Sequence, residues 1–233
     1  MVKDIVKTIF SILHKYATFE ISTQNDNYHL VRNAFKAVTV LVRNVKYYNL
    51  EEDQLKMLLL YAEEDCQNDE KQANSFSLLK AILEAKLVST ELHEVMQKIS
   101  NICILSESAK SRDEARAIFV NYLSHYQPGK RLDKYIQFFV TQLNYELQHG
   151  RESSLKFIDM IINKLNPGQL KNHGDYLFLS LGACMINDSA PECRQAAAGC
   201  IEAILKKLPL LDRNKLFDLV LTFFKDTQPV HIE

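Results

Sequence analysis

Apolar residues recur at steps of three and four along almost the whole chain, and that spacing is the signature of one face of an α-helix. Ile5, Ile9, Ile12, Leu13 and Tyr16 share one face, as do Leu55, Leu58, Leu59 and Ala62. Leu92, Val95, Met96 and Ile99 repeat the pattern, followed by Ala115, Ile118, Phe119, Tyr122 and Leu123. It continues through Ile136, Phe139, Val140 and Leu143, then Leu155, Ile158, Ile162 and Leu165, then Leu177, Leu181, Cys184 and Met185. The spacing predicts about eleven helices and no strands. Only 6 Gly and 5 Pro interrupt 233 residues, and they fall mostly in short polar segments that read as hairpin turns. Those turns are placed at Ser22–Asn27, Tyr48–Glu51, Gln67–Asp69, Leu87–Thr90, Ser106–Ser108, Gln127–Lys130, His149–Arg151, Asn166–Gly168, Asn187–Pro191 and Pro209–Asp212.

Two kinds of helix alternate between these turns. Arg32, Lys71, Arg112, Arg151 and Arg194 mark the starts of the second kind, about forty residues apart. Two helices in such a period match HEAT and armadillo units (~40 to 47 residues) and exclude the shorter tetratricopeptide and ankyrin periods. The last full unit carries the motif most openly. Asp188 in the turn precedes Cys193-Arg194, then Ala197 and Ile201, close to the HEAT pattern of Asp, V-R-x-x-A and an aliphatic ladder. Asp188 can accept from amides at the start of the second helix, and Arg194 can reach neighbouring turns and link successive units. The expectation is an all-α solenoid of about five two-helix units plus a partial one. Residues 1–233 are expected to form a single continuous array cut from a longer solenoid, with its final helix, Leu216 to Phe223, lacking a partner.

Catalytic signatures are near misses. His93-Glu94 opens like H-E-x-x-H, but Gln97 holds the second His position. Gly129-Lys130 ends like a phosphate loop, but Ser124 stands where its first Gly is required. Cys66, Cys103, Cys184, Cys193 and Cys200 are odd in number and form no C-x-x-C, and the seven histidines are scattered. No catalytic residue, cofactor, metal site or small-molecule substrate is therefore expected. No apolar run approaches ~18 residues, so no membrane span is expected either, and the thiols fit a reducing, intracellular setting.

A formal net charge of -1 excludes a strongly basic module, so any nucleic-acid contact must be local. One concentration qualifies: Lys110, Arg112 and Arg116 at one hairpin, with Lys130, Arg131 and Lys134 opening the next. These could meet phosphates or a protein partner, although Glu107, Asp113, Glu114 and Asp133 interrupt them and a solvated mixed-charge face competes as the explanation.

Several stretches taken in order resemble a known family. They are Val42-Arg43-Asn44-Val45-Lys46-Tyr47-Tyr48, Tyr61-Ala62-Glu63-Glu64-Asp65, Leu78 to Leu83, Glu94-Val95-Met96, Tyr122 to Tyr126 before Pro128-Gly129, Leu143 to Glu146, Gly150 to Ser153, and Ile186 to Ser189. Together, over Val38 to Phe224, they are similar to the C-terminal part of the very large nucleolar HEAT-repeat proteins of the small-subunit processome component 20 (down-regulated in metastasis) family. The chain departs from the family pattern at Gln127, which separates Tyr126 from Pro128, and at the lone Asp188 after Asn187. The resemblance implies a non-enzymatic nuclear, nucleolar scaffold. It would contact protein subunits of the processome and pre-rRNA or U3 small nucleolar RNA, in support of 18S rRNA processing and 40S assembly. The runner-up is a HEAT or armadillo adaptor unrelated to ribosome assembly, such as a transport receptor or phosphatase scaffold.

Overall fold

The computed structural model describes residues 2–16, 25–45, 50–126 and 129–225. Among them are eleven α-helices and no strand. They are α1 (Val2–Tyr16), α2 (Asn25–Asn44), α3 (Glu52–Asp65), α4 (Asp69–Glu84), α5 (Glu91–Leu105) and α6 (Ala109–Tyr126). Then follow α7 (Lys130–Thr141), extended by a 3-10 turn (Gln142–Asn144), α8 (Gln148–Lys164), α9 (Pro167–Asn187), α10 (Pro191–Lys207) and α11 (Leu210–Lys225). The chain divides into two compact units, Met1–Tyr126 and Gln127–Glu233.

The same packing rule operates inside each unit. In the first, α1 pairs with α2, α3 with α4, and α5 with α6. Second helices then pack on second helices, α2 on α4 and α4 on α6, while first helix α3 packs on first helix α5. In the second unit α7 pairs with α8 and α9 with α10, with α8 on α10, α7 on α9 and α9 on α11. A hairpin has too little apolar surface of its own, and like-on-like stacking extends one core from pair to pair. This is a helix-pair solenoid arrangement of the HEAT type.

The core follows the helical stripes. Leu58, Leu59, Val95, Met96, Ile99, Phe119, Tyr122, Phe139, Phe157 and Ile162 are fully buried. Phe139 of α7 stacks on Phe157 of α8 with ring centroids 3.6 Å apart, and the Ser154 hydroxyl donates to the Phe139 carbonyl at 2.5 Å. Tyr122 stacks on Tyr126 and is hydrogen-bonded to His93, while the Tyr126 hydroxyl donates to the Leu87 carbonyl at 2.7 Å. These buried hydroxyls therefore have partners, as burial requires.

Four details differ from the sequence reading. The inward face of α1 is Val6, Ile9, Phe10 and Leu13, so Ile5 is exposed, and Met185, expected on the apolar stripe of α9, is exposed as well. The turn expected at His149–Arg151 lies inside α8, whose first turn buries Gly150; the real break follows the 3-10 turn, at Tyr145–Leu147. Ile201 is only half-buried, and the inward ladder of α10 runs through Cys193, Ala197, Cys200 and Ile204. The turns expected at Ser22–Asn27, Tyr48–Glu51 and Gln127–Lys130 lie partly outside the described residues.

Candidate partner-binding surface

Several helices end abruptly on an extended residue: Ser106 after α5, Tyr145 after the 3-10 turn, Asp188 after α9. An abrupt end leaves carbonyls without intrahelical donors, at the negative end of the helix dipole. A side chain from the following helix closes the turn just beyond, on the carbonyls of the cap residue and its neighbour. Arg112 Nη1 donates to the Ser106 and Glu107 carbonyls at 2.7 and 2.9 Å. Arg151 Nη1 does the same for Tyr145 and Glu146 at 3.0 and 2.9 Å, and Arg194 Nη1 for Asp188 and Ser189 at 2.7 and 3.1 Å. In the second pair the position belongs to Gln72, whose amide donates to the Cys66 carbonyl at 2.9 Å. Lys71, its neighbour, instead pairs with Asp65 at 3.3 Å. Arg32 is exposed, and the turn before its helix lies outside the described residues.

Two of these clasps also reach the next pair. Gln72 Oε1 accepts from Ser111 of α6 at 2.5 Å. Arg151 Nε and Nη2 donate to both oxygens of Asp188 at 2.8 and 3.0 Å, a bidentate contact whose side chains are 11% and 3% exposed. Asp188 also accepts from the Ala190 amide at 2.8 Å, at the start of α10. Burial alone would raise the Asp188 carboxyl, but the Arg151 and Ala190 hydrogen bonds outweigh it and hold the group below the usual carboxylate value. Arg194 therefore closes its own turn, whereas Gln72 and Arg151 also tie successive pairs together.

The six candidate contact cations are not equivalent. Arg112 is held by turn carbonyls, and Arg116 is buried and ion-paired with Asp113. Lys110, Arg131 and Lys134 are exposed, and the side chain of Lys130 lies outside the described residues. Cations at the turns after the second helices, namely Lys164, Lys171, Lys206, Lys207, Arg213 and Lys215, went unremarked in the sequence. Their signal is recurrence at equivalent repeat positions, which shows only once the repeats are aligned.

An open groove of about 640 Å³ separates the C-terminal ends of α7 and α9, bordered by Thr141, Asn144, Tyr176, Ser180 and Asn187 with the Arg151–Asp188 pair at its base. Its charged pair is already mutually satisfied, so the groove offers shape before chemistry. Among the described residues no group of three or more His, Cys, Asp or Glu side chains could hold a metal ion. All five cysteines are free and buried, and burial raises Cys66, Cys184 and Cys193 to about 11 and Cys200 to about 12. Such thiols are protonated at neutral pH and poor nucleophiles. No described helix is long and apolar enough to cross a membrane.

No family model matches the chain. An engineered protein of known crystal structure aligns over 87% of this chain and 81% of its own, at 12% identity and a TM-score of 0.45. Two curated relatives carry the description U3 small nucleolar RNA-associated protein 20. The one from Schizosaccharomyces pombe is 28% identical over 202 residues, 85% of this chain. The one from Saccharomyces cerevisiae is 32% identical over 157 residues, 67% of this chain. The chain spans 8% and 6% of their respective lengths. It is thus distantly homologous to the U3 small nucleolar RNA-associated protein 20 family, and its all-α, pair-stacked architecture fits a non-catalytic scaffold.

Proposed function

We propose that this chain is a scaffold segment of a nucleolar, U3-associated small-subunit processome component, supporting pre-18S rRNA processing and 40S assembly. The observation that carries the reading is the similarity to two U3-associated relatives across most of the chain. The architecture supports it: polar side chains are spent on closing turns and joining pairs, which leaves long helix faces and turn edges for partners. Its action is geometric, with many weak contacts distributed over stacked pairs. Affinity capture of the tagged chain from nuclear extract, read by mass spectrometry, is expected to return processome subunits together with nucleolar localisation. Recovery of phosphatase or nuclear-transport subunits in their place would establish the adaptor reading and remove this one.

A further inference from the structure

Folding collects cations that the sequence scatters. In the second unit, ion pairs and hydrogen bonds place one set of helix ends on a common edge. His173 of α9 meets Asp133 of α7 at 3.5 Å, and Lys171 of α9 meets Asp212 of α11 at 3.0 Å, so the N-terminal turns of the three first helices lie side by side. Lys207, at the end of α10, donates to the Ile162 and Asn163 carbonyls at the end of α8, at 2.7 and 2.8 Å, which brings the second helices to that edge as well.

The charge of this edge is lopsided. It carries Arg131, Lys134, Lys164, Lys171, Lys206, Lys207, Arg213 and Lys215, of which Lys207 is committed to carbonyls. Against them stand Asp133, Glu202, paired with Lys206, and Asp212, which Lys171 and Lys215 share. Asp159, Asp175 and Asp218 lie about one turn inward, the first hydrogen-bonded by Asn163. The opposite edge is the reverse: Glu146, Glu152, Asp188 and Glu192 gather there, and its arginines, Arg151 and Arg194, are occupied by turn carbonyls and Asp188. Within the second unit, positive charge is therefore gathered along one rim of a chain whose net charge is -1.

We propose that this rim of the second unit binds the phosphodiester backbone of a nucleic-acid duplex, which is RNA if the scaffold reading above holds. The cations recur at every turn from α7 to α11. With neighbouring helices about 10 Å apart they form a row of about 20 Å, suited to an extended line of phosphates. The rings nearest the rim, Tyr135 and His173, are half-buried, and the exposed Phe217 lies two turns inward on α11, so the rim itself offers charge without a platform for unpaired bases, and that favours a duplex over a single strand. The competing occupant is an acidic peptide anchored on Leu210 and Leu211, 63% and 76% exposed. Those leucines sit at one end only, whereas the charge runs the length of the rim.

The test is binding of the full chain to a blunt RNA duplex of about 20 base pairs, titrated over a range of salt. The expected result is a linear fall of log K with log salt. The double variant Lys164→Ala/Lys206→Ala should bind at least about tenfold more weakly with a slope shallower by about two, since each lost phosphate contact removes about one. A DNA duplex should bind within about tenfold, because the backbone alone is read. Both side chains are exposed, and an unchanged thermal melt confirms that the variant is folded. Absence of duplex binding, an unaltered slope in the variant, or rejection of DNA would overturn the inference. So would tighter binding of a Glu/Leu peptide that Leu211→Ser abolishes. If processome subunits are captured and the duplex is not bound, the scaffold reading stands and the rim assignment falls.

Discussion

Ile158→Asp is expected to cost about 4 kcal/mol or more, enough to unfold the second unit. Ile158 is 2% exposed on α8, which packs on both α7 and α10, so the carboxylate would enter a buried seam shared by two pairs. Ile201→Asp on α10 is expected to cost only about 1 kcal/mol, because that side chain is half-buried and its carboxylate can turn toward water. Denaturant titration followed by circular dichroism separates the two. Equal destabilisation would mean that the seam between α8 and its neighbours is not the core.

The second large effect belongs to Arg151. Arg151→Ala removes two donors from the Asp188 carboxylate and two hydrogen bonds from the turn carbonyls, leaving a carboxylate that is 3% exposed with the Ala190 amide and the Cys184 thiol as partners. Stranding one member of a buried ion pair costs about 3 to 5 kcal/mol. The pH dependence has a definite sign. The folded-state value of Asp188 lies below its unfolded value of about 4, so the pair's contribution is complete above that pH and disappears as pH falls through the depressed folded value. The gap between wild type and Arg151→Ala should therefore be largest near neutrality and shrink in acid below about pH 4. A gap independent of pH would show that Arg151 acts through the turn carbonyls alone.

Much of the helical architecture was legible because burial imposes a period that mixed composition cannot hide: Leu58, Val95, Ile118, Phe139 and Leu181 each sit where the three-and-four spacing puts them. Rotation about a helix axis was less legible. On α1 the stripe built from Ile5 competed with one built from Val6 and Phe10, and packing against α2 chose the latter. Function-bearing charge was harder still. Arg112 and Arg116 have the same formal charge as Arg131, but the carbonyls of the turn after α5 claim the first and burial beside Asp113 holds the second. Nor does sequence distinguish Lys71 from Gln72: which of two adjacent residues faces the turn is a matter of helix phase. The rim of the second unit was invisible for a simpler reason, since Arg131, Lys164, Lys206 and Lys215 become neighbours only when the pairs stack.

The central claim is that a helix pair in this chain borrows its stability from adjacent pairs. The most direct measurement is thermal unfolding of the isolated α9–α10 hairpin, residues 166–208, against the whole chain. The hairpin is expected to show weak helicity and no cooperative transition, because Leu170, Leu177, Cys193 and Cys200 would lose the cover that α7, α8 and α11 provide. A hairpin that melts cooperatively by itself, near the temperature of the intact chain, would contradict that account.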